Sequence, residues 1–120
     1  MSHIVTIHTK VHDPAAVSAA CRRLGLAEPI QGTATLFSGE ATGMIVQLAG
    51  WQYPAVFNTL TGEVHYDNYG GAWGDQAQFD RFLQAYAVEK TRLEARKKGY
   101  TFSEQQLTDG SIRLQIVEGT

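Results

Sequence analysis

The segment from Asp75 to Lys98 constrains this chain more than any other. Phe79, Phe82, Leu83 and Tyr86 fall at the i, i+3, i+4, i+7 spacing of one helix face. Past Tyr86 the stripe fades. Lys90, Arg92, Glu94, Arg96, Lys97 and Lys98 leave Leu93 as the main apolar contact, and Gly99 ends the helix. A helix of this length spans about 36 Å, while a domain of this size has a radius of gyration near 14 Å. The sequence therefore predicts a helix half seated on a core and half projecting from it or resting on a partner.

A second helix is marked by its punctuation. Asp13-Pro14 supplies an N-cap followed by proline at the first helical position. Val17, Ala20, Cys21 and Leu24 make one apolar stripe, and Gly25 closes the helix with Arg22 and Arg23 in its last turn. Before it, residues 4–11 alternate, with Val5, Ile7 and Val11 on one side and Thr6, His8 and Lys10 on the other. That is the period of a half-buried strand. Residues 33–38 and 44–49 read as strands around a turn at 38–43. Residues 53–58 and 63–67 read as a pair joined across Thr61-Gly62. A closing hairpin, 101–107 with 111–117, turns at Asp109-Gly110, a type I′ signal, and Ile112, Leu114 and Ile116 supply its apolar face.

The expected order is β-α-β-β-β-β-α-β-β. It implies a single α+β domain over residues 1–120, with a mostly antiparallel sheet and two helices on one face.

Composition removes whole classes of function. With 43% hydrophobic residues and a formal net charge of -2, the chain is neither disordered nor basic throughout. The single cysteine cannot form an intramolecular disulfide, no signal peptide opens the sequence, and no apolar run spans a bilayer. A cytoplasmic protein without a membrane partner is the expectation.

The chain resembles an uncharacterised family of small proteins found in cyanobacteria, other bacteria and, as a hypothetical reading frame, algal plastids. The resembling residues are Met1-Ser2-His3, Leu24-Gly25, the Trp73-to-Tyr86 segment, Lys98-Gly99-Tyr100 and Asp109-Gly110-Ser111-Ile112-Arg113-Leu114. Tyr69-Gly70-Gly71 departs from the plastid pattern. The family has no established activity, so no catalytic role carries over. In some bacteria its members are encoded near an AAA-type ATPase and a still smaller partner, which implies an accessory role.

Two segments stand out as candidate sites. Tyr66, Asp67, Asn68, Tyr69, Gly70, Gly71 and Trp73 form a glycine-rich loop that carries large side chains. It reads as a tight turn, as a protein-contact loop anchored by Tyr and Trp, or as an anion loop before a helix. The anion reading lacks a Lys-Ser/Thr pair, and Asp75 stands where the anion would sit. His65 and Asp67 share a strand face, which allows a His–carboxylate pair, but no nucleophile motif accompanies them. The other segment is the basic stretch Lys90, Arg92, Arg96, Lys97 and Lys98, a solvated helix face or a contact for an acidic protein or nucleic acid. His8 and His12 lie about 13 Å apart along a strand, too far to share a metal. No metal or cofactor is expected. The leading expectation is a non-enzymatic interaction module that binds a protein partner or itself. A ligand site or enzyme at residues 65–75, and nucleic-acid binding, are the alternatives.

Overall fold

The computed structural model describes residues 4–118, and only the backbone of Ile7 and His8. His3 and the Met1-Ser2-His3 opening lie outside the described residues. The elements are β1 Val5–His8, α1 Pro14–Leu24, β2 Ile30–Leu36, β3 Gly39–Val46, β4 Ala55–Asn58, β5 Glu63–Tyr66, α2 Gln76–Lys97, β6 Thr101–Gln106 and β7 Ile112–Val117. Their order is the one expected from sequence, and the fold is α+β. The strands divide into a five-stranded antiparallel sheet, ordered β1-β5-β4-β3-β2, and a separate two-stranded sheet of β6 and β7.

Both helices start as their caps dictate. Asp13 Oδ1 accepts the amides of Ala15 at 3.0 Å and Ala16 at 3.4 Å. Asp75 Oδ1 accepts Ala77 N–H at 3.0 Å. Gly25, at φ 72°, ends α1, and Leu26 N–H reaches back to Cys21 O at 2.8 Å. The Tyr86 hydroxyl accepts the amides of His12 at 3.2 Å and Asp13 at 3.1 Å, tying α2 to the entrance of α1.

The main core lies between the helices and one face of the large sheet. Ala16, Val17, Ala20 and Cys21 of α1 meet Phe79, Phe82, Ala85 and Tyr86 of α2 over Val46, Phe57 and Val64. Phe57 stacks on Phe79 at 6.2 Å and meets Phe82 at 5.1 Å. Burial pushes the Cys21 thiol up to about 11. On the opposite face a smaller cluster, Leu36, Ala41 and Val56, is bordered by Ile4, Ala34, Ile45 and Tyr53.

Two turns differ from expectation. The β2–β3 turn is Phe37–Ser38 alone, because Gly39 through Gly43 continue as strand. A side chain at position 43 would put its Cβ 2.5 Å from Phe57 O, so glycine is what lets β3 lie this close to β4. The final hairpin is not type I′. Asp109 keeps negative φ, and only Gly110 is positive, at 89°. Gly110 N–H donates to Leu107 O at 3.1 Å and Leu107 N–H to Ser111 O at 2.8 Å, giving a three-residue loop. Asp109 Oδ1 stabilises it by accepting Ser111 N–H at 3.0 Å.

The hairpin's apolar side is covered only in part. Ile112 and Leu114 are half-buried, while Ile116 is 44% exposed; Val117, on the other face, is 51% exposed. Instead of projecting bare, the C-terminal half of α2 carries the hairpin folded back beside it. The molecule measures 55 × 32 × 23 Å, with a radius of gyration of 15.3 Å, against about 14 Å for a compact domain of this length.

Candidate functional site

The loop after β5 is built from the inside outward. Tyr66 belongs to the core, edge-on to Trp51 at 5.6 Å and tilted against Phe79 at 5.0 Å. Asp67 and Asn68 are also buried, at 1% and 6% exposure. Asn68 holds the loop shut. Its carbonyl accepts Gly71 N–H at 3.0 Å and Trp73 N–H at 2.9 Å, and its Nδ2 donates to Gly74 O at 3.2 Å. Tyr69, Gly70 and Gly71 then run through positive φ (49°, 61° and 105°), which reverses the chain and sends Tyr69 outward. Gly74 lets the loop lie on Trp51, since a Cβ there would sit 2.4 Å from the indole ring. Trp51 Nε1 donates to Asp75 O at 3.0 Å, and Gln52 N–H to Trp73 O at 2.8 Å.

The result is a rigid mount for Trp73. Its indole stacks on Tyr69 at 4.8 Å and 22°, and meets Phe37 at 5.0 Å and Tyr53 at 5.5 Å. Phe37, at the tip of the β2–β3 turn, is 58% exposed, and Tyr69 is 47% exposed. Tyr53, half-buried, also borders the small cluster on the sheet face away from the helices. Sequence reading found Tyr69 and Trp73 but not Phe37 or Tyr53. The available signal was a large apolar residue, Phe37, in front of Ser38-Gly39, where a turn tip favours small polar ones.

Beside the patch, Asp67 Oδ1 accepts Tyr69 N–H at 3.3 Å, but its other oxygen is buried without a hydrogen-bond partner. His65 does not serve it: His65 Nδ1 is engaged with Thr6 Oγ1 at 2.8 Å on the neighbouring strand. The shared strand face thus yields a Thr–His pair rather than a His–carboxylate pair. At the loop's far end Asp75 caps α2 with its own carboxylate, which occupies the place an anion would take.

The cations of the basic stretch differ in what holds them. Lys90 Nζ binds Asp13 Oδ2 at 3.1 Å and Glu94 Oε1 at 2.9 Å, and these hydrogen bonds hold its ammonium above the usual lysine range. Burial pushes the Asp13 carboxyl up, but Lys90 and the two capping amides together hold it below the ordinary 3.8. Arg92 turns onto Glu89, with Nη2 at 2.7 Å from Oε1. Glu89, only 5% exposed, also receives Arg23 Nη1 at 3.1 Å, and Arg23 reaches on to both oxygens of Glu104 in β6. Hydrogen bonding to Arg23 holds the Glu104 carboxyl below the ordinary 4.5. Lys97 comes within 3.9 Å of Glu94, and Arg96 and Lys98 stand in solvent. Sequence patterning placed these cations on the helix but not the Asp13 carboxylate that the start of α1 brings to Lys90.

Between the helices and the hairpin lies an open cleft of about 320 Å³, bordered by Arg23, Arg81, Gln84, Glu104, Gln106 and Ile112. Among the described residues no group of three or more His, Cys, Asp or Glu is placed to hold a metal ion, and no helix is long and apolar enough to cross a membrane. Comparison with protein-family models, with curated proteins and with solved structures produced no match.

Proposed function

We propose that this chain is a non-enzymatic interaction module that engages a protein partner through the aromatic patch of Phe37, Tyr53, Tyr69 and Trp73. The observation that carries the reading is the stack of Tyr69 on Trp73, with Phe37 beside it 58% exposed. Aromatic side chains held in one geometry lose little entropy on binding, which is why Tyr and Trp anchor interfaces. The loop hydrogen bonds of Asn68 supply that rigidity. The family resemblance adds a candidate partner, an AAA-type ATPase or the still smaller protein encoded near it. The lone buried Cys21 fits a reducing, cytoplasmic setting. Binding to nucleic acid is a weaker reading, since Lys90 and Arg92 are engaged by carboxylates.

The test is co-expression of the tagged chain with the ATPase and its small companion, comparing wild type with Phe37→Ser and Trp73→Ala. Retention that is lost in both variants supports the reading; retention indifferent to both ends it. A second reading, small-ligand binding at residues 65–75, draws on the unpartnered buried oxygen of Asp67. It requires a ligand whose calorimetric binding disappears in Asp67→Asn while the fold, followed by circular dichroism, is kept.

A further inference from the structure

The β6–β7 hairpin is a sheet of its own, so each strand has one hydrogen-bonded neighbour and one open edge. A two-stranded sheet is marginal in water, and an open edge invites another strand. The two edges are not equivalent. β6 carries Thr101, Ser103, Glu104, Gln105 and Gln106 with Phe102 as its single apolar residue, and Glu104 is committed to Arg23. Such an edge is suited to water. β7 reads Ile112-Arg113-Leu114-Gln115-Ile116-Val117, with one charge.

The ladder fixes which groups of β7 point outward. Leu107 N–H donates to Ser111 O at 2.8 Å, so that pair is hydrogen-bonded. Antiparallel pairs alternate, so Gln105–Arg113, Ser103–Gln115 and Thr101–Val117 are bonded as well. The pairs between them, Gln106–Ile112, Glu104–Leu114 and Phe102–Ile116, are not. The N–H and C=O groups of Ile112, Leu114 and Ile116 therefore face away from β6, and these are also the residues with aliphatic side chains on one face.

From this geometry we infer that β7 pairs antiparallel with β7 of a second copy about a two-fold axis at Leu114, joining the hairpins into a four-stranded sheet. The strand is self-complementary in that register. Leu114 lies opposite its own copy, and Ile112 lies opposite Ile116, so hydrogen-bonding residues meet hydrogen-bonding residues and aliphatics meet aliphatics. Arg113 lies opposite Gln115 on the other face, so no like charges meet. The pairing also covers Ile116, which the single chain leaves 44% exposed. This surface is separate from the aromatic patch and does not depend on it.

Sedimentation equilibrium of the full chain, with and without substitutions at β7, tests the inference. Wild type is expected to show twice the chain mass as concentration rises. Leu114→Pro removes only an outward N–H, and Leu114→Lys sets two cations face to face. Each is expected to raise the dimer dissociation constant at least about tenfold. Should Leu114→Pro fail to fold, Leu114→Cys decides. Its two copies would lie about 5.5 Å apart at Cα, within disulfide reach, and Cys21 is buried away from them. Oxidation should then link Leu114→Cys chains and leave Arg113→Cys chains unlinked, since those positions would lie beyond about 7 Å. A wild-type chain that stays at single mass throughout, or a dimer in which Leu114→Cys does not link, overturns the inference. A dimer dissolved by Trp73→Ala assigns self-association to the aromatic patch and overturns it too. Loss of the ATPase partner in Trp73→Ala with the dimer intact would separate the two surfaces.

Discussion

The two halves of α2 are held by different physics. The first half buries Phe79, Phe82, Ala85 and Tyr86 against the five-stranded sheet and α1. The second half keeps a thinner apolar contact through Val88, Leu93 and Ala95 and adds charge: Glu89 between Arg23 and Arg92, Lys90 between Asp13 and Glu94, with the hairpin tethered through Glu104. Burial of apolar area does not titrate and is not screened by salt, and it needs no partner once the core has closed. Ion pairs at half-exposed sites contribute less and leave their surroundings open to solvent and to other chains. The difference separates a closed core from a region whose two-stranded sheet keeps open edges.

The largest expected effect comes from the first half. Phe82→Ala should lower unfolding stability by about 3–5 kcal/mol in urea titration, since the ring is fully buried against Phe57. Leu114→Ala, on the half-covered hairpin, should cost about 1 kcal/mol in the monomer. Equal losses would erase the contrast.

Next is Glu89→Ala, expected to cost about 2 kcal/mol by leaving Arg92 without its acceptor and Arg23 with Glu104 alone. Hydrogen exchange should locate the change, with protection falling in β6–β7 and the end of α2 before it falls in β4–β5. A uniform loss would mean that Glu89 supports the main core.

Acid should act in the same direction more gently. Glu104 and Asp13 are held below their ordinary values of 4.5 and 3.8. A carboxylate with a lowered folded value contributes stability that is present above its unfolded value and lost as pH falls through the folded one. As pH falls from about 5 toward 3, amide protection in the hairpin should decline while the tertiary signal of Trp51 and Phe79 persists. Simultaneous loss of both would show that the halves unfold as one unit.

The smallest effect belongs to the patch. Phe37→Ser should shift stability by no more than about 0.5 kcal/mol, because the ring is mostly in water. A loss above about 1 kcal/mol in thermal melts would make the patch a structural cluster instead of a contact surface.

Local patterning carried much of this architecture. The caps Asp13, Gly25 and Asp75, the stripe through Phe79 and Phe82, and the alternation of Val5 with Thr6 each act within a few residues, so they can be read from spacing alone. The β2–β3 turn was misplaced because Gly39 and Gly43 look like turn residues, whereas Gly43 is set by the approach of Phe57 from another strand. The loop was legible as a place to look, since glycines and aromatics rarely crowd without reason. Its chemistry was not.

By itself, the sequence determined the order of elements, the helix ends and the face that α1 and the first half of α2 bury, because these depend on periodicity and local capping. Only the tertiary structure decided that Phe37 and Tyr53 join Trp73, that His65 pairs with Thr6 instead of Asp67, that Asp13 neutralises Lys90 and that Arg23 joins Glu89. Those contacts join residues far apart along the chain. The same holds for β7. Its composition was visible in the sequence, but the ladder with β6 decides which of its backbone groups face outward, and so which strand could complete the sheet.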